Sequence, residues 1–231
     1  MITSASNPRL RLIRRLRSVS QRRRLGLFAV EGEDLVHAGL EAGLEPEDLL
    51  TAGVDVEPKL LADVSELAHP PRVIAVFRRD DLGQAAPSYD LQRGLALWHV
   101  ADPGNVGTLI RTADAFGAFV ALSSGCADPT SLKALRASAG AIFRVPLLGF
   151  EDAPSPRIAL VAQGGNPLSD LQLPERATFV LGAEREGVPS EVLERCDASA
   201  SIPMAEGAES LNVATAGAIA LYELFRRKSN A

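Results

Sequence analysis

Apolar positions recur along this chain in two rhythms, and the alternation between them lays out its elements. Near the start, Leu10, Ile13 and Leu16 recur three residues apart among arginines, the spacing of a single buried stripe on a helix. Asn7 stands where it can cap that helix, and Pro8 sits just inside its start. The compact run LGLFAVEG (25–32) predicts a strand, and residues 33–43 return to helical spacing. A short strand over 49–54, a helix over 58–68 and the strand VIAVF (73–77) complete a first series. A second series opens with the strand LALWHV (95–100), a tight loop DPGNVG (102–107) and a helix over 108–116. FVAL (119–122) predicts a strand, 129–139 a helix, and 142–148 a strand interrupted by Pro146. IALVA (158–162) and ATFVL (177–181) are compact apolar strands, another strand ends at Ile202, and 211–228 is the last helix. Short apolar strands alternating with helices predict an α/β fold with a parallel sheet covered on both faces. Residues 80–94 mix Gly, Pro, Ser and charge, the composition of a linker. The expected division is a small α/β domain at 1–85, a linker at 86–94 and a second domain at 95–231.

In such sheets ligands bind beyond the C-terminal ends of the strands. The loops after Val100, Ala162, Leu181 and Ile202 read DPGNVG, QGGN, GAEREG and PMAEGAESLN. Taken singly, each has a plain structural alternative. PGNVG can be a strand-to-helix turn. GAEREGVP can be a turn whose acids, Glu184 and Glu186, favour a helix N-terminus. Ser210 and Asn212 can be simple helix caps. No Gly-Lys-Ser/Thr loop, no GxGxxG fingerprint and no Gly-x-Ser-x-Gly elbow occurs, which counts against nucleotide-dependent dehydrogenases and serine hydrolases.

Charge changes the picture through its distribution. Residues 1–30 hold eight arginines and no acid, so residues 31–231 carry 16 of the 24 basic side chains and all 29 acidic ones. A basic arm on an otherwise acidic molecule suits a phosphate backbone, although it also reads as a solvated amphipathic helix. Arg9, Arg14, Arg15, Arg22 and Arg23 of this arm, with Arg136, are the candidate RNA contacts. His37, His69 and His99 are scattered, and Cys126 and Cys196 show no CxxC spacing, so no metal site is expected. There is no apolar run of membrane-spanning length and no secretory leader, and the cytoplasm is the expected compartment.

Together and in order, the segments NVGTLIRTADAFGA, FVLGAEREGVP and SIPMAEGAESLNVATAGAIALYE resemble the three motifs of the SpoU/TrmH family of SPOUT methyltransferases. RASAGAIFRVP (136–146) is similar to a further family stretch, and residues 3–80 resemble the substrate-binding domain that precedes the catalytic domain in many rRNA-directed members. The resemblance implies a trefoil-knotted α/β domain, a homodimer with the active site near the subunit interface, and S-adenosylmethionine as cofactor. It implies 2′-O-methylation of RNA ribose, with rRNA favoured over tRNA. A non-catalytic RNA-binding protein of the same fold is the remaining alternative. Carried onto this chain, Asn105, Arg111, Glu184, Ser210 and Asn212 match the polar active-site positions. Gly182, Ile202 and Leu211, with Ala162, Gln163 and Met204, would hold the cofactor. The family gives Arg111 a base-like role. Because a guanidinium stays protonated at neutral pH, the expected role is instead to bind a flanking phosphate and stabilise developing alkoxide. Glu184 and Asn105 would orient it, while Ser210 and Asn212 position the ribose and its loop.

Overall fold

Asn7 caps the first helix as its sequence predicts: its side-chain oxygen accepts the N–H of Arg9 at 2.9 Å, and Pro8 opens α1 (Pro8–Leu16). The computed structural model describes residues 1–83 and 89–228, so residues 84–88, within them part of the expected linker, lie outside the described residues. The N-terminal unit continues with α2 (Val19–Leu25), β1 (Leu27–Glu31), α3 (Glu33–Glu41), β2 (Asp48–Thr51), α4 (Pro58–Val64) and β3 (Val73–Arg78). The stripe of Leu10, Ile13 and Leu16 packs with Leu50, Val56, Leu61 and Ile74 into its core. Strand order is β1-β3-β2, with β3 antiparallel to both neighbours. Alternation of strand and helix suggests a parallel sheet, and β1 and β2 do run the same way. The last strand enters between them from the opposite direction, which makes every pairing here antiparallel.

The second unit comprises β4 (Asp90–Leu97), α5 (Pro103–Ala115), β5 (Ala118–Leu122), α6 (Leu132–Ser138), β6 (Leu147–Gly149), β7 (Arg157–Leu160), β8 (Asn166–Pro167), β9 (Thr178–Leu181), α7 (Ser190–Leu193), β10 (Ala198–Ser201) and α8 (Val213–Lys228). Seven strands form one sheet in the order β6-β5-β4-β9-β7-β10-β8, every neighbouring pair parallel. This is the α/β fold with a covered parallel sheet expected from the apolar runs.

Two differences from the sequence pattern have physical causes. Residues 90–94, expected in the linker, begin β4. Gly94 is there because a Cβ would lie 2.5 Å from the carbonyl oxygen of Phe119, and Arg93 is buried, donating to the carbonyl of Glu175. Similarly, DPGNVG is the first turn of α5 rather than a loop. Asp102 caps it, accepting the N–H of Asn105 at 3.0 Å, and Pro103 opens it. The glycines that read as loop serve helix packing: a Cβ on Gly107 would lie 2.3 Å from the carbonyl oxygen of Ala134 on α6.

The two units are joined by a buried ion cluster. Asp128, just before α6, accepts from Arg22 Nε at 2.8 Å and from Arg79 Nη1 at 2.9 Å. Arg22 also donates to the carbonyls of Leu16 and Arg17, and its side chain is only 5% exposed. RNA contact expected at Arg22 is therefore corrected. Its Nε and Nη1 are held by Asp128 and the end of α1 and its side chain is buried, so it is a strut between the units and not a phosphate contact.

Candidate active site

The loops after β4, β7, β9 and β10 converge at the C-terminal edge of the sheet, as the strand ends predicted. Between them lies a cleft of about 570 Å³ lined by Ala162, Gly182, Ile202, Met204 and Leu211 among others. Gln163, expected to join this set, is exposed on the loop after β7 and lies outside the lining. Its floor is apolar, with Leu160, Leu181 and Ile202, while Glu184 and Glu186 bring carboxylates to one wall.

Gly182 is required by its own loop. Ala183 accepts the N–H of Gly187 at 2.9 Å, folding the segment back on itself. A Cβ on Gly182 would lie 2.0 Å from the carbonyl of Gly187. The close approach expected at this glycine is thus first an approach of backbone to backbone, and it shapes the wall of the cleft.

Three predicted polar residues form one continuous chain. Asn105 donates from Nδ2 to Glu184 at 3.0 Å, and its Oδ1 accepts from Asn212 Nδ2 at 3.1 Å. The Glu184 carboxylate also accepts the backbone N–H groups of Ala101 and Asp102, each at 3.3 Å. Burial opposes charge on Glu184, but these hydrogen bonds, that of Asn105 foremost, outweigh it and hold the carboxyl below its usual range. Asn212 is both cap and bridge: its Oδ1 accepts the N–H groups of Ala214 and Thr215 at the start of α8. The cap reading and the functional reading of Asn212 are thus compatible. Ser210 lines the cleft beside it.

Arg111 stands apart from this chain. It is exposed and makes no hydrogen bond or ion pair to another described residue. Six residues separate it from Asn105, which at 3.6 residues per turn sets it about 120° away round α5. The expectation that Glu184 and Asn105 orient Arg111 is therefore corrected: they hold each other and Asn212, and Arg111 is left with all its donors free.

Among the expected RNA contacts, Arg9 pairs with Asp48, Arg14 donates to the carbonyl of Ala5, and Arg15 donates to Gln21. Arg23 on α2 and Arg136 on α6 are exposed and make no hydrogen bond or ion pair to another described residue. Sequence reasoning missed Asp102, whose signal was an acid directly before Pro103, the pattern of a helix cap followed by its first residue. It also missed Lys133, whose Nζ lies 2.6 Å from Asp102. Nothing in its local pattern marked it. Among the described residues, no group of three or more His, Cys, Asp or Glu side chains is arranged to hold a metal ion.

Residues 92–222 match the model of the SpoU rRNA methylase family. Over 96% of this chain and 98% of the relative, the sequence is 32% identical to the 23S rRNA (guanosine(2553)-2′-O)-methyltransferase RlmP of Bacillus subtilis. Among solved structures, an AdoMet-bound rRNA methyltransferase of Sinorhizobium meliloti superposes with a TM-score of 0.85 at 28% identity, covering 98% of this chain and 97% of that one. The SpoU methyltransferase AviRb of Streptomyces viridochromogenes, in complex with AdoMet, gives 0.82 at 26% identity, covering 97% and 99%.

Proposed function

This chain belongs to the SpoU rRNA methylase family, and from that premise we propose that it transfers the methyl group of S-adenosylmethionine to a ribose 2′-hydroxyl of RNA, with ribosomal RNA as substrate. The observation that carries the reading is the Glu184–Asn105–Asn212 chain on the lip of the cleft. It ties together the three segments that carry the family motifs.

The cleft suits this cofactor. Its apolar floor of Leu160, Leu181 and Ile202 fits an adenine ring, and the wall of Glu184, Arg185 and Glu186, net acidic, suits a ligand with positive groups. When bound, the sulfonium supplies an activated methyl group with its own leaving group. The protein's part is alignment and charge. Holding nucleophile and methyl in line contributes several kcal/mol by itself. Glu184, fixed by Asn105 and two backbone N–H groups, anchors the loop from β4 to α5 against the loop after β9. Asn212 fixes the start of α8 to the same point, and Ser210 faces the ribose. Arg111 keeps its proton, grips a phosphate next to the target and stabilises charge growing on the 2′-oxygen as the hydroxyl proton passes to solvent water.

Three further features belong to this reading. The N-terminal domain and its exposed arginines bind RNA outside the target nucleotide. The protein works as a homodimer through α8, on which Ile219, Tyr222 and Phe225 are exposed beside Phe116 at the end of α5. The chain is knotted. The return of the chain supports this: after β10, which lies beyond β7, it packs α8 back on α5, β4 and β9. No described helix is long and apolar enough to cross a membrane, and a ribosomal substrate places the work in the cytoplasm.

The test is methyl transfer from labelled S-adenosylmethionine to rRNA from cells lacking the protein, with the 2′-O-methyl position then mapped. A 2′-deoxy substitution at the mapped nucleotide should abolish transfer. Transfer that persists on the deoxy substrate overturns ribose as the acceptor.

A further inference from the structure

Lys133 lies at the junction of the catalytic helix, α6 and the N-terminal domain, and the mechanism above does not use it. Its Nζ reaches Asp102 at 2.6 Å, yet its side chain is 63% exposed. Asp102 caps α5 through Asn105, and Asn105 belongs to the catalytic chain. Asp102 also donates its backbone N–H to Glu184, so Lys133 is two residue contacts from that carboxylate. Its stem crosses Gly104, where a Cβ would lie 3.1 Å from Lys133 Cε, so a glycine at this turn of α5 leaves room for the lysine.

Its neighbours share its charge. Arg136, one turn along α6, is exposed with no described partner, and so is Arg111. Gly107 of α5 packs on Ala134 and Ala137, and Arg111 follows Gly107 by one turn, on the side of α5 that meets α6. The result is a basic ridge of Lys133, Arg136 and Arg111 astride the α5–α6 crossing. This ridge also marks the boundary between the domains. Arg22 and Arg79 hold Asp128, three residues before Ser131, which caps the start of α6 at Leu132.

We propose that Lys133 grips an RNA phosphodiester next to the target ribose, exchanging the Asp102 carboxylate for the phosphate when RNA binds. This rests on the reading of the chain as an RNA 2′-O-methyltransferase. An ammonium with most of its surface in water exchanges one oxyanion for another at little cost, because solvent screens an exposed ion pair. Asp102 keeps its cap on Asn105 through its other oxygen, so the catalytic helix stays in place during the exchange.

The experiment compares wild type with Lys133→Ala, Lys133→Gln and Lys133→Arg, using protein-free rRNA from cells lacking the protein and labelled S-adenosylmethionine. The glutamine keeps a stem and a donor for Asp102 without the charge, which guards against a folding defect in the alanine variant. In Ala and Gln, KM for RNA should rise about tenfold, and the slope of log affinity against log salt should shrink by about 0.7–0.9. kcat at saturating RNA and S-adenosylmethionine affinity should stay near wild type, and Arg should restore both RNA readouts. An unchanged KM and salt slope, or a fall confined to kcat, overturns the proposal and leaves Lys133 as a support for the Asp102 cap. Failure of wild type to methylate or bind the rRNA would instead count against the functional reading beneath it.

Discussion

Glu184 shows how a carboxylate becomes a fixed part instead of a titrating one. It accepts three hydrogen bonds from Ala101, Asp102 and Asn105, and they favour its charged form over burial. A folded-state pKa below the unfolded one adds stability that is complete above the ordinary carboxylate range and is lost as pH falls through the depressed value. Methylation should therefore be insensitive to Glu184 across neutral pH. Glu184→Gln should lower kcat at every pH from 6 to 9 by a similar factor, because an amide must turn an N–H toward one of the three donors. A Glu184→Gln profile that bends within that range, where wild type is flat, contradicts the fixed-anchor role. Arg111→Ala makes the complementary case. With no partner among the described residues to disturb, it should leave unfolding temperature and S-adenosylmethionine affinity as they are and lower kcat at least about a hundredfold, the scale of losing one charge-stabilising group. Calorimetry beside a single-turnover assay separates the two effects.

The loop Gly182–Gly187 and the helix α5 place these residues, and glycine decides both. An added methyl at Gly182 meets the backbone of Gly187 at 2.0 Å, which no side-chain rotation relieves. Gly182→Ala should thus open the cleft wall and weaken S-adenosylmethionine by at least about tenfold, a loss of roughly 1.4 kcal/mol, while far-ultraviolet dichroism stays native. Wild-type affinity in this variant would mean that the loop does not hold the cofactor. Gly107→Ala pushes against the Ala134 carbonyl instead, and overpacking of that kind should cost about 1–3 kcal/mol in urea unfolding. The same glycines explain what could be read in advance. The buried strands β5, β7 and β9 announce themselves as apolar runs, because a strand covered on both faces has no polar side to show. The start of α5 does not, since Gly104 and Gly107 carry the composition of a loop and are there for Lys133 and α6. β8, two residues long, is too short to stand out, whereas β10 is anticipated from its end at Ile202 although it reads ASAS. Of the site, Asn105, Glu184 and Asn212 were legible because their segments keep a recognisable wording. The freedom of Arg111, the burial of Arg22 and the placement of Lys133 depend on partners about 30 to 110 residues away or on their absence, and local pattern carries no trace of those.

Across the whole molecule, the Arg22–Asp128–Arg79 cluster ties the N-terminal unit to the segment before α6, and it is expected to make the two units unfold together. Burial resists charge on Asp128, but Arg79 and Thr130 outweigh it and hold the carboxyl at about 2 against an ordinary 3.8. That difference is worth about 2 kcal/mol at neutral pH. The stability is complete above pH 4 and drains away as pH falls toward 2, because the unfolded chain takes up the proton first. Wild type should unfold near pH 7 in a single cooperative transition. Asp128→Ala leaves Arg22 buried beside Arg79 with no anion, a change that should cost about 3–5 kcal/mol. Since the cluster links α2 and β3 to the segment before α6, the loss should appear as a split calorimetric trace, with the N-terminal domain melting first. It should also make the stability profile less steep between pH 4 and 2, by the share that Asp128 contributes. RNA affinity should fall with it, because the arginines of α2 would no longer be held in line with α6, whereas S-adenosylmethionine, bound wholly within the second domain, should bind as before. A single transition with wild-type acid sensitivity would show that the domains are coupled elsewhere along their interface.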